Sequence, residues 1–358
     1  MPAESLRMLD ANLNRASEGL RVLEDVARFA LNDGGLSREL RGLRHALAEL
    51  MKPFDLKLLS SRDSVADVGR ESGLRVGGDR DLLSVVRANA KRVEESLRVI
   101  EEMLRVCNSG QAPEITSVER LRHATYDIER RLAGRVLRQE TASLVAGLYV
   151  VIDRQAAGDR PLVELAAQAI AGGAAVIQLR DKTGERGQVY REAAQLSALS
   201  RDRGAMFIMN DYCDIAAAVG AAGLHIGQGD MPLEAVRKVL PIETVVGVSC
   251  ENPAHVRHAL AEGADYIAVG AIFPTQQKRD HVLAGLDVLR EARAMDGSIP
   301  LVAIGGITLD NVASVVNAGA DSVAVIGAVI LQPDVRVAAT SMVEAIGSAR
   351  ERKRDEKE

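Results

Sequence analysis

From about residue 145 onward, eight short apolar runs alternate with segments of helical periodicity. Eight strands with intervening helices over about 200 residues predict a (β/α)8 TIM barrel, an α/β fold. A doubly wound parallel sheet is the alternative, because alternation alone does not show that the sheet closes. The predicted strands are Leu148–Ile152, Ala175–Leu179, Ala205–Met209, Gly223–Ile226, Thr244–Val248, Asp265–Val269, Pro300–Ile304 and Asp321–Ile326.

Several of these strands follow glycine and other small residues, as in Gly263-Ala264-Asp265 and Gly319-Ala320-Asp321. Glycine at such a position predicts the end of a helix in a left-handed cap. The small residues after it allow a tight turn into the next strand.

The first 140 residues have a different pattern, with leucines at three- and four-residue steps between charges, which predicts amphipathic helices. This part also contains a repeat. Asn12, Arg15, Glu18, Leu20, Arg21, Val22, Glu24 and Arg28 return 77 positions later as Asn89, Arg92, Glu95, Leu97, Arg98, Val99, Glu101 and Arg105, and the LRHA of 43–46 returns at 121–124. We predict an all-α domain over 1–140 with an internal duplication, a barrel over 145–348 and a charged tail over 349–358.

Two interpretations of the repeated charges remain open. Spacings of three and four residues, as in Glu24 and Arg28, place opposite charges side by side on a solvated helix face, each pair worth roughly 0.2–0.5 kcal/mol. Alternatively, Asn12, Arg15 and their copies converge on an anionic ligand in a shared cleft under the polar loop 62–69. Long loops of this kind are often functional, and a disordered connector is the alternative.

Composition narrows the classes of function. The 45 basic and 50 acidic side chains give a net charge of −5, and aromatic residues make up 3%, so neither bulk positive charge nor base stacking favours a nucleic-acid partner. Three dispersed cysteines have neither disulfide nor metal-site spacing. Neither a signal peptide nor an apolar run of the roughly 18 residues of a membrane span is visible. We expect a cytoplasmic protein with small-molecule partners; homo-oligomerisation is left open.

Charged residues follow the predicted strands, where a barrel places its active site. Two are acids, Asp211 and Asp230, and three are cations, Arg180, Lys182 and Lys278. Acids and cations at one rim suit a complex of Mg²⁺ with a diphosphate, because the metal bridges carboxylates and phosphate oxygens while the cations neutralise the remaining charge.

A second anion site is indicated by Gly305-Gly306 and by the turn after the last strand, where bare backbone N–H groups can bind a phosphate. Two phosphate-bearing ligands at one rim predict a transfer reaction with diphosphate as the leaving group. Each residue also has a simpler interpretation: an aspartate after a strand is often a helix cap, and His225 in its apolar run is read as structural. Ser249 and Cys250 have no nucleophile elbow around them.

The region from Leu148 to about Ile346 resembles thiamine-phosphate synthases. The motifs are QLRDK (178–182), MND (209–211), GLHIGQGDMP (223–232), VGVS (246–249), GAIFPTQQK (270–278) and VAIGGITLDNV (302–312). The resemblance implies a barrel enzyme that joins 4-amino-2-methyl-5-(diphosphooxymethyl)pyrimidine to a thiazole phosphate. Diphosphate leaves and thiamine phosphate forms.

The resemblance also implies residue roles. Asp211 and Asp230 would bind Mg²⁺, and Arg180, Lys182 and Lys278 would stabilise the departing diphosphate. The implied substrate-binding residues are Gln178, Leu179, Asp181, Asn210, Ser249, Thr275, Gln276, Gln277, Gly306, Ile326 and Gly327. The chain departs from the usual pattern at Gln277, Gly327 and Tyr212, where the family has Thr, Ser and Arg. The first two lie on the thiazole side, so the form of the thiazole substrate stays open.

The helical part resembles, less specifically, a domain that is fused to such synthases and proposed as a hydroxymethylpyrimidine-phosphate kinase. The matching stretches are LDANLNRASEGLRVLEDVARF (9–29), LRHAL (43–47) and SRDSVADVG (61–69). A kinase of this type would make the substrate of the synthase. Because no recognised glycine-rich phosphate loop occurs, a non-catalytic dimerisation module is the alternative. For the barrel, the alternative is a sensor of thiazole or thiamine phosphates.

Overall fold

The computed structural model describes residues 2–61, 81–107, 113–275 and 283–355. The chain divides into two compact units, Met1–Leu137 and Arg138–Glu358. Among the described residues, we find no helix that is long and apolar enough to cross a membrane.

The first unit is helical, as predicted. Its helices are α1 Ala3–Asp25, α2 Gly34–Met51, α3 Asp55–Ser60, α4 Leu82–Cys107 and α5 Pro113–Ser143, the last of which continues past the unit boundary. A π-helical turn, Val26–Ala30, extends α1, and a 3₁₀ turn, Lys52–Phe54, precedes α3. The long helices α1 and α4 carry the repeated residues and pack closely, since a Cβ atom on Gly19 would lie 2.6 Å from Cγ2 of Val93.

Of the two repeated glutamate pairs, Glu18 and Glu95 are exposed, whereas Glu24 and Glu101 are buried. Glu24 is 2% exposed, and its carboxylate accepts hydrogen bonds from Arg41 at 2.9 Å and Arg44 at 3.1 Å, both on α2. Its copy Glu101 is fully buried and accepts from Arg122 of α5 at 2.7 Å. Burial opposes the ionisation of Glu24, yet the two arginines hold its pKa below the usual range. The solvated-face interpretation is therefore wrong for these two carboxylates.

The residues of the predicted shared cleft lie partly outside the described structure. Arg15 and Arg92 are exposed, and the amides of Asn12 and Asn89 each donate to a carbonyl of their own helix at 2.8 Å. The loop 62–69 lies outside the described residues, so the cleft stays a prediction.

The second unit is a closed parallel barrel with strand order β1 to β8, in which β1 pairs with β8. This closure excludes the doubly wound sheet. The strands are β1 Gly147–Asp153, β2 Val176–Arg180, β3 Met206–Asn210, β4 Gly223–Ile226, β5 Val245–Cys250, β6 Tyr266–Val269, β7 Leu301–Ile304 and β8 Ser322–Val325.

Helices surround this barrel. They are α6 Arg154–Ala157, α7 Leu162–Ala171, α8 Arg186–Arg203, α9 Cys213–Ala218, α10 Leu233–Val239, α11 Pro253–Glu262, α12 Gly285–Met295, α13 Val312–Asn317, α14 Gly327–Ile330 and α15 Val335–Asp355. The predicted tail from 349 is instead a continuation of α15 as far as Asp355. Ala349 is buried there, and Lys353 donates to the carbonyl of Val316 at 2.9 Å.

The aspartates of the Gly-Ala-Asp segments tie neighbouring strands together at the amino-terminal end of the barrel. Asp265 accepts the backbone N–H of Val246 at 2.8 Å, and Asp321 accepts that of Leu301 at 2.8 Å. Arg138 bonds to Asp265 at 2.9 Å. Beside these bonds, Ala142 and Val145 pack among the inward-facing residues of the barrel. The predicted site residues lie at the opposite end, where the strands finish.

Candidate active site

A cavity of about 440 Å³ opens at the carboxyl ends of the strands. It brings together predicted residues from five strand ends, because the carboxyl ends of parallel strands all lie at one rim of the barrel. Those that line it are Gln178, Arg180, Lys182, Asn210, Asp211, Asp230, Ser249 and Ile326.

The two predicted metal ligands lie next to each other. Asp211 has a left-handed backbone conformation, with φ of 64°. Its carboxylate contacts the carboxylate of Asp230 and lies 3.3 Å from the ammonium of Lys182. Burial raises the pKa of Asp211, and the neighbouring Asp230 raises it further. The loop holds Asp230 in place, because its carboxylate accepts the N–H of Gly227 at 2.6 Å.

The donor chemistry of this pair fits Mg²⁺. Two adjacent carboxylates repel each other unless a cation or a proton lies between them, and Mg²⁺ prefers oxygen ligands. No group of three or more His, Cys, Asp or Glu side chains suited to a metal occurs in the described parts of the chain. Mg²⁺ commonly keeps several waters and takes ligands from substrate phosphates, so two carboxylates suffice.

Arg180 is oriented by an aspartate that the sequence interpretation did not include. Its guanidinium pairs with Asp153 at the end of β1. Asp153 also caps α6 by accepting the N–H of Ala156 at 2.9 Å. The ion pair holds the arginine at the cavity wall.

A chain of hydrogen bonds crosses the floor of the cavity. It connects side chains from β1 to β6, and three of its members, Tyr149, His225 and Tyr266, were not predicted as site residues. The links are Ser249–His225 at 2.8 Å, His225–Tyr266 at 3.0 Å, Tyr266–Tyr149 at 3.3 Å, Tyr149–Gln178 at 2.5 Å and Gln178–Asn210 at 2.6 Å. Complete burial raises the pKa of both tyrosines, so both hydroxyls stay protonated.

Glycine makes room for this chain at one position. A Cβ atom on Gly247 of β5 would lie 1.9 Å from the Tyr266 ring. The ring therefore lies directly against the β5 backbone, where its hydroxyl reaches both His225 and Tyr149. The alternation of inward- and outward-facing residues along β1 and β6 is the sequence signal that could have identified the two tyrosines.

A second cavity, of about 180 Å³, adjoins the first. Gly305 and Gly306 line it with φ of 103° and 66°, and a Cβ on Gly306 would lie 2.6 Å from the carbonyl oxygen of Pro274. Thr275, Ile326 and Gly327 complete the predicted set on this side. Peptide groups without side chains thus face the cavity, which suits the binding of a phosphate.

Two predicted substrate-binding residues do not line either cavity. Leu179 is fully buried in the apolar layer between barrel and helices, because alternation along β2 turns it outward. Asp181 is 3% exposed, and its Oδ1 atom accepts the N–H groups of Thr183 and Gly184 at 3.0 and 2.8 Å, which stabilises the loop after β2. Neither side chain lines a cavity, and their assignment to substrate binding stays a prediction. Gln276, Gln277 and Lys278 lie outside the described residues.

Comparisons with known proteins cover both units. A family model described as thiamine monophosphate synthase matches residues 148–329, and a model of the ThiD2 family matches residues 7–131.

Relatives match over nearly the whole length. The thiamine-phosphate synthase of Thermosynechococcus vestitus is 39% identical over 330 residues, which is 92% of this chain and 91% of the relative. That of Rhodopirellula baltica is 36% identical over 351 residues, 95% of this chain and 92% of the relative. Among solved structures, a thiamine phosphate pyrophosphorylase from Pyrococcus furiosus matches with a TM-score of 0.54 and 35% identity, over 58% of this chain and 98% of that chain.

Proposed function

Because the chain belongs to the thiamine-phosphate synthase family, we propose that its barrel joins 4-amino-2-methyl-5-(diphosphooxymethyl)pyrimidine to a thiazole phosphate and forms thiamine phosphate and diphosphate. The observation that carries this proposal is the pair of adjoining cavities at one rim. The larger has the acids and cations that suit a diphosphate, and the smaller has the bare peptide groups that suit a single phosphate.

In the first step of this reaction, the bond between the pyrimidine methylene carbon and the diphosphate oxygen breaks, and the electron pair leaves with the diphosphate. Arg180 and Lys182 line the cavity where this negative charge develops, and we assign Lys278 to the same group. Fixed cations that face a developing charge lower the barrier because they need no reorganisation during the reaction.

Asp211 and Asp230 would hold Mg²⁺ at this rim. When bound, Mg²⁺ supplies a positive charge that neutralises the diphosphate oxygens. Arg180 stays oriented by Asp153, and Lys182 lies 3.3 Å from the Asp211 carboxylate, so its ammonium is held over the same region.

The hydrogen-bonded chain on the floor orients the pyrimidine. Gln178 accepts from Tyr149 and donates to Asn210, so the rotamers of both amides are set before substrate binds. The thiazole nitrogen then attacks the methylene carbon with its own lone pair. The reaction needs no protein nucleophile and no general base, which agrees with the missing nucleophile elbow.

A direct assay tests the proposal: the whole chain is incubated with both phosphorylated precursors and Mg²⁺. We expect thiamine phosphate, and Asp230→Asn should lower turnover by about two orders of magnitude or more. Asp214→Asn is the matched control, since this exposed aspartate on α9 makes the same change in charge away from the cavities. Absence of product, or binding of both precursors without turnover, would instead favour a sensor.

For the helical unit, we propose phosphorylation of the hydroxymethylpyrimidine phosphate by ATP. The match of residues 7–131 to the ThiD2 family supports this activity. The assay replaces the pyrimidine diphosphate with the monophosphate and ATP, and the proposal predicts that thiamine phosphate still forms. The Asp230→Asn chain should then accumulate the pyrimidine diphosphate. If the monophosphate is not consumed, the dimerisation module is the better interpretation.

A further inference from the structure

One acidic residue that no motif singled out, Glu251, contributes to the walls of both cavities. Its position follows from the alternation of β5. Gly247 faces Tyr266 inside the barrel, Ser249 lines both cavities, and Cys250 is buried in the outer apolar layer. With a period of two, the next residue returns to the inner side.

The boundary between the two cavities is otherwise uncharged in the described part of the chain. Six residues line both cavities: Ser249, Glu251, Ala268, Ile304, Ala324 and Ile326. Apolar walls lower the local dielectric constant, so a carboxylate at this boundary acts more strongly on a nearby charge than it would in water.

The proposed reaction creates a positive charge at this boundary. The diphosphate lies toward Arg180 and Lys182 in one cavity and the thiazole phosphate toward Gly305 and Gly306 in the other, so the reacting carbon and nitrogen meet between them. The C–O bond breaks and its electron pair departs with diphosphate. The thiazole nitrogen gives its lone pair to the new N–C bond and becomes positively charged. No proton moves.

We propose that Glu251 is a further catalytic residue, whose carboxylate stabilises the positive charge that passes from the methylene carbon to the thiazolium nitrogen. This inference rests on the proposed substrates. A carboxylate repels both anionic substrates in the ground state and attracts the cation of the transition state, so its effect falls on kcat rather than on KM.

The first test is the steady-state kinetics of Glu251→Gln in the whole chain. We expect kcat to fall by about ten- to hundred-fold, while KM for each substrate stays unchanged or falls. Glu251→Asp, which keeps the charge, should recover part of the loss. Glu344→Gln on α15 is the control, because this exposed carboxylate makes the same change in charge outside both cavities.

The second test uses binding, so that it is independent of turnover. Calorimetry compares thiamine phosphate with its neutral isostere, in which a thiophene replaces the thiazolium ring. The unsubstituted chain should bind the cation more tightly, and Glu251→Gln should lose most of that preference. A merely structural role would weaken both ligands equally.

The outcomes separate this inference from the proposed function. If the unsubstituted chain makes thiamine phosphate and Glu251→Gln keeps kcat within two-fold, the inference fails and the proposed function stands. If the unsubstituted chain makes no thiamine phosphate, the proposed function fails. In that case the binding preference for the cation still decides whether Glu251 recognises positive charge.

Discussion

The buried carboxylate of Glu94 on α4 should make the stability of the helical unit depend on pH. Glu94 is 6% exposed, and its Oε1 atom has no hydrogen-bond partner among the described residues. Burial and, after it, the adjacent carboxylate of Glu129 on α5 raise its pKa to about 7. The ammonium of Lys91 lowers this pKa, and the carboxylate of Glu95 raises it slightly. Replacing Glu94 with Gln removes the ionisation and keeps the shape.

The sign and size of the effect follow from the two pKa values. In the unfolded chain Glu94 ionises near its ordinary 4.5, whereas the folded chain keeps it protonated up to about pH 7. The stability that this group contributes is complete below pH 4.5 and is lost as the pH rises through 7. The difference corresponds to at most about 3 kcal/mol, and screening by water reduces it toward about 1–2 kcal/mol.

The assay is urea denaturation of the whole chain, followed by circular dichroism at several pH values from 5 to 8. The barrel makes the same contribution to the unfolding signal of each variant and of the unsubstituted chain. Each variant is therefore compared with the unsubstituted chain at the same pH. Between pH 5 and pH 8, the free energy of unfolding of Glu94→Gln should rise by about 1–2 kcal/mol relative to that of the unsubstituted chain. Glu129→Gln should give a smaller gain, because it removes the neighbouring carboxylate but leaves Glu94 buried.

The matched control is Glu95→Gln, whose side chain is 67% exposed and pairs with Lys91. Its effect should stay within about 0.5 kcal/mol at every pH. A difference between Glu94→Gln and the unsubstituted chain that does not change with pH would refute the reasoning.

Two further predictions concern the barrel. Lys278→Ala should raise KM for the pyrimidine diphosphate at least ten-fold more than KM for the thiazole phosphate, because we assign the ammonium to the departing group; equal losses in steady-state kinetics would contradict this assignment. Gly247→Ala should lower the melting temperature and leave little active enzyme, since the added methyl group would lie 1.9 Å from the Tyr266 ring. An unchanged melting curve would show that the ring can move aside.

The barrel could be predicted because each strand is a short apolar run between helical segments. Closure could not, because it depends on the pairing of β1 with β8, which are the most distant strands in the sequence. The residues at which a strand begins and ends were predicted less accurately than the existence of the strand. The predicted Thr244–Val248 is observed as Val245–Cys250, and this extension shows that Glu251 follows a strand with a defined inner side.

Which residues line the cavity could be predicted best where a charge follows a strand, as for Asp211 and Lys182. It was predicted poorly where a polar side chain lies within an apolar run, as for Tyr266 and His225, since hydropathy does not distinguish a wall of the cavity from a core. Leu179 lies between two cavity residues in the QLRDK motif, so the motif alone does not show which way its side chain points. The alternation of β2 turns it away from its neighbours Gln178 and Arg180.

The burial of charged side chains shows what the two copies in the helical unit share and where they differ. Glu24 and its copy Glu101 are both buried, and each is compensated by an arginine of the helix that follows, Arg44 in one copy and Arg122 in the other. Removing one partner of such a pair leaves an unpaired buried charge, at about 3–5 kcal/mol, so glutamate and arginine persist together. In the described part of the chain, no arginine interacts with Glu94, and the equivalent position in the first copy is Ser17. The two copies are therefore alike where the buried charge is compensated, and they differ at the carboxylate whose ionisation the fold opposes.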